Sequence, residues 1–193
     1  MGYAMSWLAV RGRLPEQVLA DLDASLTGRR APFGDLRLGC CTLPGGWQLV
    51  AAMRAEHRWV APESLAALSA SAELVACVVE EHVMVSCAEG WRGGERLWRV
   101  LHDAQQAPDH LQSEGDLPSP YARIAAEQRQ LQASAQARGV DELFEVPLKL
   151  AQALVGFKHD EGGPGAEGLW QELSDGPLPP AVPADKKPWW KRW

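Results

Sequence analysis

The sequence contains no run of eighteen apolar residues, and its first residues lack a basic region followed by a long apolar stretch. Both absences argue against a spanning helix and a secretory signal, so a cytoplasmic protein is expected. Basic charge is also short. Nineteen Lys and Arg face twenty-five Asp and Glu, for a net charge of -6 and a pI near 5.4. A general nucleic-acid binder needs a basic face to neutralise phosphates, which this balance does not supply. No G-x-x-x-x-G-K-[ST] or G-x-G-x-x-G run marks a phosphate loop. Four cysteines, Cys40, Cys41, Cys77 and Cys87, form no C-x-x-C pair, and Cys40 and Cys41 are too close for a routine disulfide. Reduced thiols packed in strands are the expectation. Ser86 has no G-x-S-x-G elbow and Cys87 no local motif, so neither reads as a nucleophile. No repeat of 20–50 residues is present.

What is present is apolar bulk: 46% of 193 residues, enough for one domain to bury a core without staples. The organising stretch is 73–103. Leu74, Val75, Val78, Val79, Val83 and Val85 precede Trp91-Arg92-Gly93-Gly94, and Leu97, Trp98, Val100 and Leu101 follow. A glycine pair between two β-rich runs predicts a tight reversal, hence one long or broken strand, a turn and a returning strand. Upstream, Tyr3, Met5 and Trp7 alternate as a strand. Pro15 opens a helix whose face is Val18, Leu19, Leu22 and Leu26, ending at Gly28. Residues 36–43 and 47–53 predict a hairpin about Pro44-Gly45-Gly46, and Pro62 starts a second helix. The order β-α-β-β-α-β-β predicts an α+β fold, with two helices on one face of an antiparallel sheet.

Residues 104–120 read as a polar connection. Two further helices follow, over 121–138 and from about Pro147 to Val155. The first is polar enough to lie mostly solvated along the outside. Leu169, Trp170 and Leu173 promise one last apolar contact. Residues 1–174 therefore read as a single domain, and 175–193 as a proline-rich linker and a Trp/Lys-rich tail.

Two groups of side chains are candidates for function. If the hairpin registers around Gly93, His82 and His102 face each other, and with Glu81 and Asp103 form a polar cluster. Such a cluster suits acid–base or metal chemistry, although supporting adjacent loops is its simpler use. No third ligand arrives at a fixed spacing, so neither a metal nor another cofactor is expected. The second group is aromatic. Trp91 at the turn, and Trp189, Trp190 and Trp193 beside four basic residues of the tail, suit an interface. For the tail, a weak membrane contact is the other reading.

The segments VVEEHVMVSCAEGW and LWRVLHDAQQ, with MSWLAVRG, PEQVLADL and LFEVPLKLAQALVGFKHDE, resemble a family of uncharacterised bacterial cytoplasmic proteins across most of residues 3–161. No catalytic residue carries over from a family without an established activity. Small acidic α+β proteins of this type include immunity proteins of bacterial toxin systems. The resemblance thus implies a non-enzymatic binding protein that neutralises a toxin, and the acidic balance suits a basic toxin domain as its partner. The alternatives are an enzyme or metal-binding protein using the Glu81, His82, His102 and Asp103 cluster, and a membrane-surface adaptor held by the tail.

Overall fold

β1 (Ala4–Arg11) lies in the middle of the sheet, and its residues Met5 to Val10 are buried on both sides. A strand that reads MSWLAV without polar alternation needs cover on both faces, and this fold supplies it. The computed structural model describes residues 2–135, 140–161 and 170–175. In chain order β1 is followed by α1 (Pro15–Asp21), β2 (Ala24–Ala31), β3 (Leu38–Leu43), β4 (Trp47–Ala52) and α2 (Pro62–Ser69). Then come β5 (Glu73–Glu80), β6 (Val85–Arg92), β7 (Glu95–Asp103), β8 (Gln112–Gly115), α3 (Pro120–Ala135), α4 (Glu145–Val155) and β9 (Trp170–Asp175). The nine strands form one sheet in the order β2-β9-β3-β4-β1-β5-β6-β7-β8, with every neighbour antiparallel.

The expected α+β class holds, and its details differ. On one face, Leu8, Val10, Val50 and Leu74 pack against Val18 and Leu22 of the α1 region, Leu65 and Leu68 of α2, and Trp59. On the other, Met5, Trp7, Leu49 and Val79 pack against Ile124 and Ala125 of α3 and Val146, Leu150 and Val155 of α4. The α3 helix lies mostly solvated along the outside, as expected: of its described side chains only Ile124, Ala125 and Gln128 are buried in this second layer, and Leu131 is 43% exposed.

The helix from Pro15 is shorter than its spacing implies. The backbone N–H of Leu14 donates to Gln17 Oε1 at 3.1 Å, closing the first turn. After Leu22, Asp23 takes a left-handed φ of 51° and the chain leaves as β2. Leu26 is therefore on an edge strand and 51% exposed, and Gly28 lies inside that strand rather than ending the helix. Among the described residues β2 pairs only with β9, whose residues lie about 145 positions further along the chain. The predicted hairpin of β3 and β4 is present, in the register Leu43↔Trp47 to Leu38↔Ala52.

The central stretch holds three strands. Gly93 and Gly94, at φ 63° and 82°, form the two-residue turn between Arg92 and Glu95. An ideal Cβ on Gly90 would stand 2.0 Å from Trp98 Nε1, so the indole lies directly over the strand where the ladder bulges. The upstream run is broken at Glu81–Met84, with Met84 at φ 53°, into β5 and β6. Residues 104–120, expected as connection alone, also contain the short edge strand β8.

Candidate functional site

All five histidines lie at one end of the sheet, the end defined by Ala4, Ala52, Glu80, Val85 and Asp103. Register alone sets this. Ala4 pairs with Glu80, Glu80 with Val85 and Val85 with Asp103, so the intervening turns emerge together.

His102 is fully buried on β7. Its Nδ1 is 2.6 Å from the His110 carbonyl oxygen, and its Nε2 is 2.9 Å from Asp141 Oδ2. Both contacts face acceptor oxygens. His110 Nδ1 in turn accepts the Asp103 backbone N–H at 3.0 Å. Asp103 accepts from the Gln105 backbone N–H and from Gln106 Nε2, which caps the turn after β7. The residue opposite His102 on β6 is Ser86, whose hydroxyl donates to the Phe144 carbonyl at 2.7 Å. Ser86, His102 and Asp141 thus gather nucleophile, base and carboxylate types, but their polar atoms are committed to holding β6 and β7 to the segment before α4 and, through His102 Nδ1, to the loop at His110.

The expected cross-strand pair of His82 with His102 does not form. His82 sits in the β5–β6 turn, exposed, with Nδ1 2.7 Å from Glu80 Oε1. Because that turn contains no Gly, Pro or Asn, the break was silent, and the count from Gly93 ran past the real end of the strand. Glu81 faces elsewhere as well. Its Oε2 accepts the Tyr3 backbone N–H at 2.7 Å, and its Oε1 is 3.2 Å from His159 Nε2. The four candidates therefore divide into a Glu81–His159–Tyr3 group, the separate His82–Glu80 contact, and a His102–Asp103–His110–Asp141 group. Asp141, His110 and His159 were missed as members. Only the histidine type itself could have flagged the last two, since neither spacing nor motif links them to β7 or β5.

His57 is buried before α2, with Nε2 3.1 Å from Asp175 Oδ2 at the end of β9. Burial pulls its pKa below the usual histidine value, against the opposing pull of Asp175. Burial also lowers His110, more than the Asp103 and Asp109 carboxylates raise it. Unfolded histidine titrates near 6.5. As pH falls below about 6.5, the unfolded chain takes up protons that these two folded sites refuse, so stability falls with them. The loss stops growing once pH passes below the folded values. Denaturant unfolding of the protein between pH 8 and pH 5 is expected to show this decline, and His57→Gln should flatten part of it. A flat profile across that window would contradict the assignment.

Lys158, beyond α4, is buried among carboxylates, 2.7 Å from Asp160 Oδ1 and 3.1 Å from Glu145 Oε2. Burial alone would lower its pKa, but these partners outweigh it and hold the ammonium above its usual value. Arg99, 2% exposed on β7, is 3.2 Å from Glu89 Oε1. Cys40 and Cys41 are half-buried on β3, where burial lifts their thiols to about 11 and about 12. Cys77 and Cys87 are fully packed, as expected for core thiols.

Trp91 is not an exposed anchor. It is 8% exposed in the α2-side core, and its Nε1 donates to Glu89 Oε2 at 3.0 Å. The bulge at Gly90 turns its ring inward. Trp189, Trp190 and Trp193 lie outside the described residues. Among those residues, no group of three His, Cys, Asp or Glu side chains converges as a metal site, and no helix is long and apolar enough to cross a membrane. The chain matches no protein-family model, no curated protein and no solved structure.

Proposed function

We propose that this chain is a protein-binding module that acts as an immunity protein, covering a basic toxin domain. The observation that carries the reading is the placement of charge. Residues 1–175 hold 24 acidic and 15 basic side chains. Much of that basic charge is withdrawn from the surface field. Arg99 and Lys158 are buried, and Arg11, Arg13, Arg29 and Arg96 each pair with a carboxylate. Glu16, Asp35, Glu56, Glu63, Glu95 and Asp109 are exposed and form no ion pair among the described residues. A surface of this sign speeds encounter with a basic partner and repels an acidic one. The histidines support the same reading, since His102, His57 and His159 are spent on fastening the frame.

The test begins with the product of the adjacent gene. Expressed alone it should arrest growth, and co-expression of this chain should relieve the arrest. The purified pair should associate with a rate that falls steeply between low and physiological salt. A harmless neighbouring product, or one that this chain does not bind, would sink the proposal.

A further inference from the structure

We propose that one indole of the Trp189–Trp190 pair seats in an apolar groove beside α1, so that this segment covers part of its own domain. The groove holds about 190 Å³ and is lined by Val18 and Leu19 of α1, Leu26 of β2, and Cys40 and Val50 on the sheet. An apolar cavity of about 150 Å³ is large enough to bind benzene, so one indole ring fits this space. Its edge is apolar where Leu26, 51% exposed, lines it. Nothing else described covers this side chain.

Three observations select the occupant. The first is reach. β9 forms part of the groove through Gln171 and ends at Asp175, four residues further on. Residues 176–188 then intervene before Trp189. Thirteen residues span up to roughly 40 Å even in the stiff polyproline form, well beyond the length of β9. The second is charge. Glu16 of α1 lines the groove and has no ion-pair partner among the described residues, whereas Asp21 is paired with Arg13. The segment 176–193 carries four basic side chains and one acidic, and Lys187 and Lys191 bracket the tryptophan pair. The third is surface type: an indole matches an apolar slot that Glu16 borders better than it matches solvent.

The groove contains its own reporter. Cys40 and Cys41 both line it, Cys40 packing on the α1 side of the sheet and Cys41 on the other, whereas Cys77 and Cys87 are buried elsewhere. Maleimide modification of Cys40, told from Cys41 by fragment mass, is compared in three proteins: the full chain, a deletion of residues 185–193, and the full chain carrying Leu26→Glu. Leu26 is exposed, so that variant should fold, and its melting curve checks this. Modification should be roughly tenfold slower in the full chain than in the other two, the factor for a docked population of about nine in ten. Equal rates in all three overturn the proposal. So does protection that rises with protein concentration, which assigns the groove to a second copy. Equal rates combined with vesicle sedimentation that the deletion abolishes assign the tryptophans to a membrane surface and overturn it as well.

Discussion

Trp170→Ala is expected to lower the unfolding free energy by about 3–5 kcal/mol, the range for emptying a buried tryptophan site. Trp170 is fully buried at the start of β9. Its ring lies 4.6 Å from Phe33 and 5.7 Å from Phe157, centroid to centroid, and an ideal Cβ on Gly39 would come within 3.2 Å of it. The side chain fixes more than its own volume. β9 is a six-residue strand inserted between β2 and β3, and among the described residues β2 has no other partner in the sheet. Pairing across about 145 residues costs chain entropy that the ladder alone repays poorly, so the aromatic anchor decides whether β9 stays. The loss should appear as a fall in denaturant midpoint and a drop in melting temperature of roughly 10 °C. Amide protection at Leu26 and Ala31 should fall more than at Trp7, because β2 detaches before the centre opens. Trp170→Phe should restore most of it. A Trp170→Ala protein within 1 kcal/mol of the parent would show that β9 is not held this way.

That strand also shows what can and cannot be read from residues in order. The pieces defined by neighbours were legible. Pro15 and Pro62 start helices, Gly156 ends α4 at φ 82°, and the glycine pair closes β6 onto β7. Their signals are local backbone chemistry. The missed pieces depend on distant partners. WQELSD has little strand character beyond Trp170 and becomes a strand because β2 and β3 leave a gap of the right width. Leu26 satisfied the helical spacing of Val18 and Leu22, yet the helix stops at Asp23 and Leu26 ends up exposed. The site suffered from a subtler failure. Counting from Gly93 left His82 opposite His102, whereas the two-residue turn and the bulge at Gly90 set Ser86 there, and β6 begins only at Val85. Burial of His102 was inferable from the apolar run around it. Its partner Asp141 was not, since only the packing of α3 and α4 on the sheet brings that carboxylate to β7.

His102→Ala should therefore behave as the removal of a structural bolt, with a loss of about 3 kcal/mol. That figure is at the low end for breaking a buried pair, because Asp141 is partly solvated. Two oxygens lose their ring contact at once: the His110 carbonyl and Asp141 Oδ2. Each unpaired buried acceptor costs about 1–3 kcal/mol when water cannot reach it, and the imidazole also leaves a void against Phe144. Asp141 Oδ1 accepts the Phe144 backbone N–H at 3.3 Å, so a displaced carboxylate also loosens the turn that starts α4. A double-mutant cycle with Asp141→Ala isolates the pair, and a coupling energy above about 1 kcal/mol is expected. His82→Ala is the control. Its ring is exposed and bound only to Glu80, so the change should fall within about 0.5 kcal/mol. If His82→Ala and His102→Ala were equally costly and strongly coupled, the two rings would be acting together after all. One zinc ion per purified chain, lost in either variant, would point the same way and favour metal chemistry over a structural fastening at this end of the sheet.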